Sequence, residues 1–384
     1  MTDRLERFAE QITKRKAAGL YRQQPLIESY QGRLLNNQQG SYLNFSGNDY
    51  LGLATEPELV KALAEGAERF GVGSSGSPLV TGHHYAHRAL SDALCDWLGA
   101  DDVLLFSSGF AANQVMLQHL ADKTDHLLLD KLCHASLIDA ALNSDAPYKR
   151  FPHQDLVALE LLLKKHPSAL VVTEGVFSMD GDSPDLKTVF TLCQTNKADL
   201  LLDDAHGVGV LGVEGKGSWQ QQGLKASDML CLMANFGKAL AGQGAFLAGS
   251  ATVIDYLRQF ARHYIYSTAL SPALCWAMKT SVDLSRKQQW RRDKLQDNIG
   301  LFKTLAAAAG LTLLPSDTAI QPLMIGEADQ AMRISASLKQ QGIWLSAIRP
   351  PTVPQGSARL RITLSASHQT NDIRLLVKKL EQWL

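Results

Sequence analysis

Neither sign of charge dominates this 384-residue chain: Lys+Arg and Asp+Glu both number 38, so net charge gives no argument for nucleic acid or an anionic membrane surface. Long apolar runs are missing too. None approaches the roughly 18 residues that a membrane-spanning helix needs, and the first ten residues are too charged for a signal peptide. Cysteine is sparse, and Cys95, Cys133, Cys193, Cys231 and Cys275 form no CxxC pair. They read as reduced, mostly buried thiols of a cytoplasmic protein, which makes the Asn44-Phe45-Ser46 sequon a chance match. Repeats and low-complexity tracts are absent. What remains, 45% hydrophobic and 20% charged residues, suits a large globular domain followed by a smaller one.

The most informative stretch is ADLLLDDAHGVG, residues 198–209, read together with NFGKA at 235–239. Leu200 to Leu202 is a short apolar run of the kind that forms a buried parallel strand, and it stops at Asp203 and Asp204 before His206 and a glycine turn. In an open α/β sheet the C-terminal strand edge is where ligands bind. A second apolar run, 229–233, ends at Asn235-Phe236-Gly237-Lys238 and delivers a lysine to the same edge. A carboxylate, an imidazole and a lysine together suit pyridoxal 5'-phosphate: the lysine captures the aldehyde as a Schiff base, and the carboxylate keeps the pyridine nitrogen protonated. Asp203 is the choice for that partner, because strand alternation turns Asp204 the other way.

Other stretches fit round this centre. A polar helical pattern (Leu5, Phe8, Ile12) runs to Pro25, with Tyr21 and Arg22 in the arm; residues 41–45 read as a strand, followed by Asn48 and Asp49 in a polar turn. Residues 56–69 and 85–98 have helical spacing, and the segment 70–83 between them, too rich in glycine and serine for a regular element, suits close approach to a ligand or a partner subunit. His83 and His87 lack the Glu of HExxH, so no zinc site is expected. The strand 103–106, the turn Ser107-Ser108-Gly109 and the helix from Phe110 to Leu120 present free N–H groups and a positive dipole end to a phosphate. His134 opens a helix after the strand 127–129. The acidic loop after the strand 170–173 lacks the Glu that would complete a calcium loop, so no metal is assigned. GVGVLG at 207–212 matches GxGxxG, but no amphipathic helix follows it, which argues against a dinucleotide. One long helix is expected over 273–309. After it come strands at 319–325, 343–348 and 358–364 and helices at 328–341 and 371–383. In the last strand Arg359 and Arg361 share a face, placed to hold a carboxylate.

With these residues in view, the chain resembles the α-oxoamine synthases, fold-type I pyridoxal-phosphate enzymes, through NFSGNDYLGL, FSSGFAAN, CHAS, TEGVFSMDGD, DDAHGVGVLG, FGK and RLRITLSASH. The resemblance implies an α/β fold with a mostly parallel sheet in a large domain and a smaller α/β C-terminal domain. The expected divisions are an arm at 1–45, the cofactor domain at 46–272 and the small domain at 273–384. Within the family, AIRPPTVPQGSARLR is most similar to members that condense L-alanine with a pimeloyl thioester, on coenzyme A or acyl carrier protein, to 8-amino-7-oxononanoate in biotin synthesis. A sister reaction, acetyl transfer to glycine, and a non-catalytic cofactor-binding protein are the alternatives.

By the same resemblance Lys238 would carry the cofactor and act as general base, Asp203 would meet the ring nitrogen, and His206 would meet the ring hydroxyl. His134 would stack on the ring and assist acid catalysis. Gly109, Phe110 and Ser178 would contact the cofactor, and Asn235 stands where the family has a phosphate-touching threonine. Arg361 would hold the amino-acid carboxylate with Asn48 nearby, while Arg22 and Thr352 would meet the acyl substrate; Tyr21 competes with Arg22 for that place. The resemblance also implies a homodimer with its sites at the subunit interface.

Overall fold

The computed structural model describes residues 3–383. Its centre is a seven-stranded sheet with the order Asp102–Phe106, Ala245–Gly249, Cys231–Asn235, Asp199–Asp203, Leu170–Glu174, Leu127–Asp130, Tyr148–Phe151. Ala245–Gly249 runs antiparallel to both neighbours, and every other pairing is parallel. Leu200 and Leu202 join the core on one face with Trp97, Phe236 and Val282, whereas Leu201 joins Val115, Leu137 and Leu257 on the other. Burial on both faces is why these strands read as unbroken apolar runs, and each leucine stabilises the fold by roughly 2 kcal/mol relative to exposure. The strands then end in polar residues at one edge: Asp130, Glu174, Asp203 and Asn235.

The C-terminal part is built on a three-stranded antiparallel sheet in the order Ile320–Gly326, Ala358–Thr363, Ser346–Ile348. The helices Ala328–Gln340 and Thr370–Leu380 turn Ile334, Leu338 and Leu376 into its core. A second small sheet joins Ser29–Gln31, Leu34–Asn37 and Gly40–Asn44 to Ile343–Trp344, so the strand near residue 41 completes a sheet with the far end of the chain. Among the described residues no helix is long and apolar enough to cross a membrane.

Three expectations are corrected. The single helix over 273–309 is two, Pro272–Lys287 and Gln289–Ala308, broken at Gln288, whose φ and ψ are −94° and 65°. No Pro or Gly marks the break. Buried arginines hold it instead: Arg292 donates back to the Ser285 carbonyl, and Arg291 donates to the Leu51 carbonyl at 2.9 Å and pairs with Glu56. The strand over 343–348 is likewise divided between two sheets, because Trp344 accepts from the Phe45 N–H at 2.9 Å and the Ser46 hydroxyl then takes the Ser346 N–H at 2.8 Å. The Gly-Ser segment, expected to hold no regular element, contains one wide helical turn at Pro78–Gly82 and is tied to residues 269–271, with Ser74 donating to Ala269 at 2.9 Å and Ser271 to Val72 at 2.6 Å.

Candidate active site

Seven of the residues singled out from sequence line one cavity of about 230 Å³ at the C-terminal sheet edge: Gly109, Phe110, His134, Asp203, His206, Asn235 and Lys238. Asp203 ends its strand and accepts from the Ala205 N–H at 3.0 Å and from the Asn113 amide at 2.8 Å. Asp204 does turn away. It takes the Ser218 N–H and hydroxyl, both at 2.8 Å, and burial raises its carboxyl to about 7. Lys238 follows the neighbouring strand end in a turn closed by the Ala241 N–H on its carbonyl at 2.9 Å and the Gly242 N–H on Phe236 at 2.7 Å. Burial lowers the Lys238 ammonium to about 8, against the opposing pull of Asp203 and Glu174, so a neutral amine is accessible near neutral pH.

His134 caps the helix Ala135–Leu142, its Nδ1 accepting from the Ser136 N–H at 3.2 Å. Burial lowers the acidity range of the His134 imidazolium, and that of His206 falls well below its ordinary value, again through burial and then the charge of Lys238. Both shifts favour the neutral ring. Glu174, fully enclosed and beside Asp203, is pushed far above the carboxylate range, and it receives the His134 N–H. The helix Gly109–Leu120 begins at the cavity wall with Ser108 as its cap, accepting from Ala111 at 3.2 Å. Among the described residues the N–H groups of Gly109 and Phe110 then have no partner.

Arg361, Asn48 and Ser178 lie beside the cavity rather than in its wall. Arg361 is buried, its Nε donates to the Ser178 carbonyl at 2.6 Å, and its terminal nitrogens stand 3.4 and 3.5 Å from Asn48 Oδ1, long for hydrogen bonds. Asn48 accepts from the Tyr50 hydroxyl at 3.1 Å, and that hydroxyl is 2.7 Å from His206 Nδ1. The two strand arginines differ sharply: Arg359 pairs with Asp180, whereas Arg361 has no carboxylate partner among the described residues. Arg22 and Thr352 are exposed and share no hydrogen bond with these groups among the described residues.

Sequence reasoning missed Asn113, Ser136 and Tyr50. Each lies within a motif that was noticed, FAAN, CHAS and NDYLG, yet only the folded chain brings them to the ligand edge. The histidine and carboxylates close enough to hold a metal among the described residues, His153, Asp180 and Asp182, already pair with one another or with Arg359.

Comparison with known proteins places this geometry. The aminotransferase class I and II family model matches residues 41–380. An 8-amino-7-oxononanoate synthase of Vibrio vulnificus (strain CMCP6) is 48% identical over 376 residues, covering 98% of this chain and 97% of that protein. A solved serine palmitoyltransferase from S. paucimobilis, with a bound PLP-myriocin aldimine, superposes with a TM-score of 0.93 at 25% identity, covering 100% of this chain and 98% of that one. A solved 8-amino-7-oxononanoate synthase from Francisella tularensis gives 0.79 at 29% identity, over 89% and 97%. A lysine, a carboxylate and two histidines round one cavity, matched along the chain in this way, mean that this protein belongs to the aminotransferase class I and II family of pyridoxal-phosphate enzymes, on its 8-amino-7-oxononanoate synthase branch.

Proposed function

We propose that this chain condenses L-alanine with a pimeloyl thioester, releasing carbon dioxide and the free thiol and forming 8-amino-7-oxononanoate. The observation that carries the reading is the convergence of Lys238, Asp203, His134 and His206 on one cavity, with the guanidinium of Arg361 beside it and without a carboxylate partner among the described residues. Pyridoxal 5'-phosphate fits these residues. The free N–H groups of Gly109 and Phe110 suit its phosphate, and the half-buried Asn235 side chain stands next to them, its Oδ1 unpartnered among the described residues and its Nδ2 3.7 Å from where a Gly109 Cβ would be. Asp203 suits the ring nitrogen, His206 the ring hydroxyl and Lys238 the aldehyde. When bound, the cofactor supplies an aldehyde that captures amines and a ring that accepts electrons.

The chain's own residues do the rest. Arg361 holds the alanine carboxylate through its planar fork, kept in place by the Ser178 carbonyl. Lys238, neutral at slightly alkaline pH, takes the proton from the alanine Cα and later returns one to the product. Neutral His134 donates from its outward nitrogen toward the acyl oxygen as the thiol leaves. Ser178 acts through its backbone carbonyl on Arg361, and Asn48 steadies the Tyr50 hydroxyl. Arg22, or Tyr21 beside it, and Thr352, all exposed in this chain, would meet the acyl substrate.

A homodimer suits the exposed apolar side chains of Val72, Val80 and Tyr266, 70–82% exposed, and of Phe110 in the cavity wall. The partition into an arm (1–45), a cofactor domain (46–272) and a small domain (273–384) is the working division, and a cytoplasmic setting suits five unpaired cysteines. Thiol release tests the reading, with L-alanine and glycine each offered pimeloyl-CoA and acetyl-CoA. Release with L-alanine and pimeloyl-CoA alone is expected; release with glycine and acetyl-CoA would move the protein to the sister reaction.

A further inference from the structure

We propose that Asn113 is a positioning residue of this site, holding Asp203 directly and, through Ser136, fixing which nitrogen of His134 is free to donate. The inference rests on the reading of Asp203 and His134 as cofactor contacts.

Hydrogen counting carries the argument. Asn113 is 1% exposed, and its amide nitrogen lies 2.8 Å from Asp203 Oδ2 and 2.8 Å from Ser136 Oγ. A carboxylate that takes the Ala205 N–H as well can only accept here, so the side-chain orientation of Asn113 is forced and both its N–H bonds are spent. Its Oδ1 is buried without a partner among the described residues, the cost of that orientation. Ser136, also 1% exposed, accepts from Asn113 and must place its own hydrogen. The acceptor within reach is His134 Nδ1 at 2.8 Å, which also receives the Ser136 N–H at 3.2 Å. Two donors on Nδ1 leave the His134 proton on Nε2. Charge around the ring does not set this choice by itself: Asp203 favours the imidazolium, Lys238 opposes it, His206 lies in the same cavity wall, and Glu174 is engaged by the His134 backbone N–H.

The chain Asp203, Asn113, Ser136, His134 thus spans three strand ends and ties the carboxylate that would meet the ring nitrogen to the imidazole that would serve as donor. A sequence carrying an apolar residue at 113 would keep the helix but lose both restraints.

The test is ¹⁵N NMR of the imidazoles in protein loaded with pyridoxal 5'-phosphate, the His134 signals identified by their loss in His134→Asn. The expected wild-type spectrum has an acceptor-type Nδ1 and a protonated Nε2 from about pH 6 to 8. In Ser136→Ala the tautomers mix and the proton affinity of the ring rises about tenfold, one pH unit; Ser136→Thr restores the wild-type pattern. Asn113→Ala weakens cofactor binding about tenfold in an absorbance titration, as expected for a lost hydrogen bond to a charged group, while Ser136→Ala binds as wild type. A wild-type His134 protonated on Nδ1, or a Ser136→Ala spectrum identical to wild type, would overturn the proposal. So would unchanged cofactor affinity in Asn113→Ala. Turnover of L-alanine with pimeloyl-CoA is followed in parallel. An inactive wild type showing the expected tautomer would sink the reaction and support the network, and the reverse result would sink the network alone.

Discussion

Lys238 illustrates how one residue gains its chemistry from position. Its ordinary ammonium would be protonated throughout the physiological range, and burial at the strand edge brings it to about 8. The neutral amine is the nucleophile, so in cofactor-free protein the rate of cofactor capture should rise about tenfold per pH unit below that value and level off above it. Stopped-flow absorbance measures this directly. A rate still climbing at about pH 10 would mean that the site does not lower the lysine. Lys238, Asp203 and His206 were legible from sequence because each interrupts or follows an apolar run that has few ways to fold. Asn113 and Ser136 were not. A single polar residue on a short helix looks like surface until the helix is seen with that face against Asp203.

At the scale of elements, the turn after Asp203 depends on glycine where side chains would collide with Asp204. A Cβ on Gly207 or Gly175 would lie 2.1 Å from Asp204 Oδ1, and one on Gly217 would lie 2.1 Å from Oδ2. The three glycines let the carboxyl sit inside the turn and tie it to Ser218, which holds the segment carrying His206. Gly207→Ala should therefore cost roughly 1–3 kcal/mol in urea unfolding and also weaken cofactor binding. Gly300 gives the contrast. It lies in the helix Gln289–Ala308 with nothing near its missing Cβ, so Gly300→Ala should be neutral or stabilising by up to about 1 kcal/mol. Unchanged stability and cofactor affinity in Gly207→Ala would contradict this account of the turn. The same scale shows what pattern reading cannot find. The break at Gln288 is made by Arg291 and Arg292 reaching distant carbonyls, and the change of sheet at Leu345 by a serine three hundred residues earlier, Ser46 to Ser346. Neither has a local signal. The hairpin Ser29–Gln31 with Leu34–Asn37 was also missed, since its half-buried polar residues show no clean alternation.

Across the whole molecule the parts agree. A parallel sheet buried on both faces brings polar residues from several strand ends to one edge, and the C-terminal sheet sets Arg361 beside them. That design was largely legible, because buried strands and the residues that end them follow from hydrophobic pattern alone. How the two ends of the chain join, with Gly40–Asn44 lying along Ile343–Trp344, needed the structure. The central claim is that this fold holds one pyridoxal 5'-phosphate on one lysine. Intact-protein mass spectrometry after borohydride reduction of the loaded enzyme, followed by peptide mapping, tests it most directly. The account predicts one reduced cofactor per chain, on the peptide containing Lys238, and none in Lys238→Ala; label on another lysine, or equal label in that variant, would contradict it.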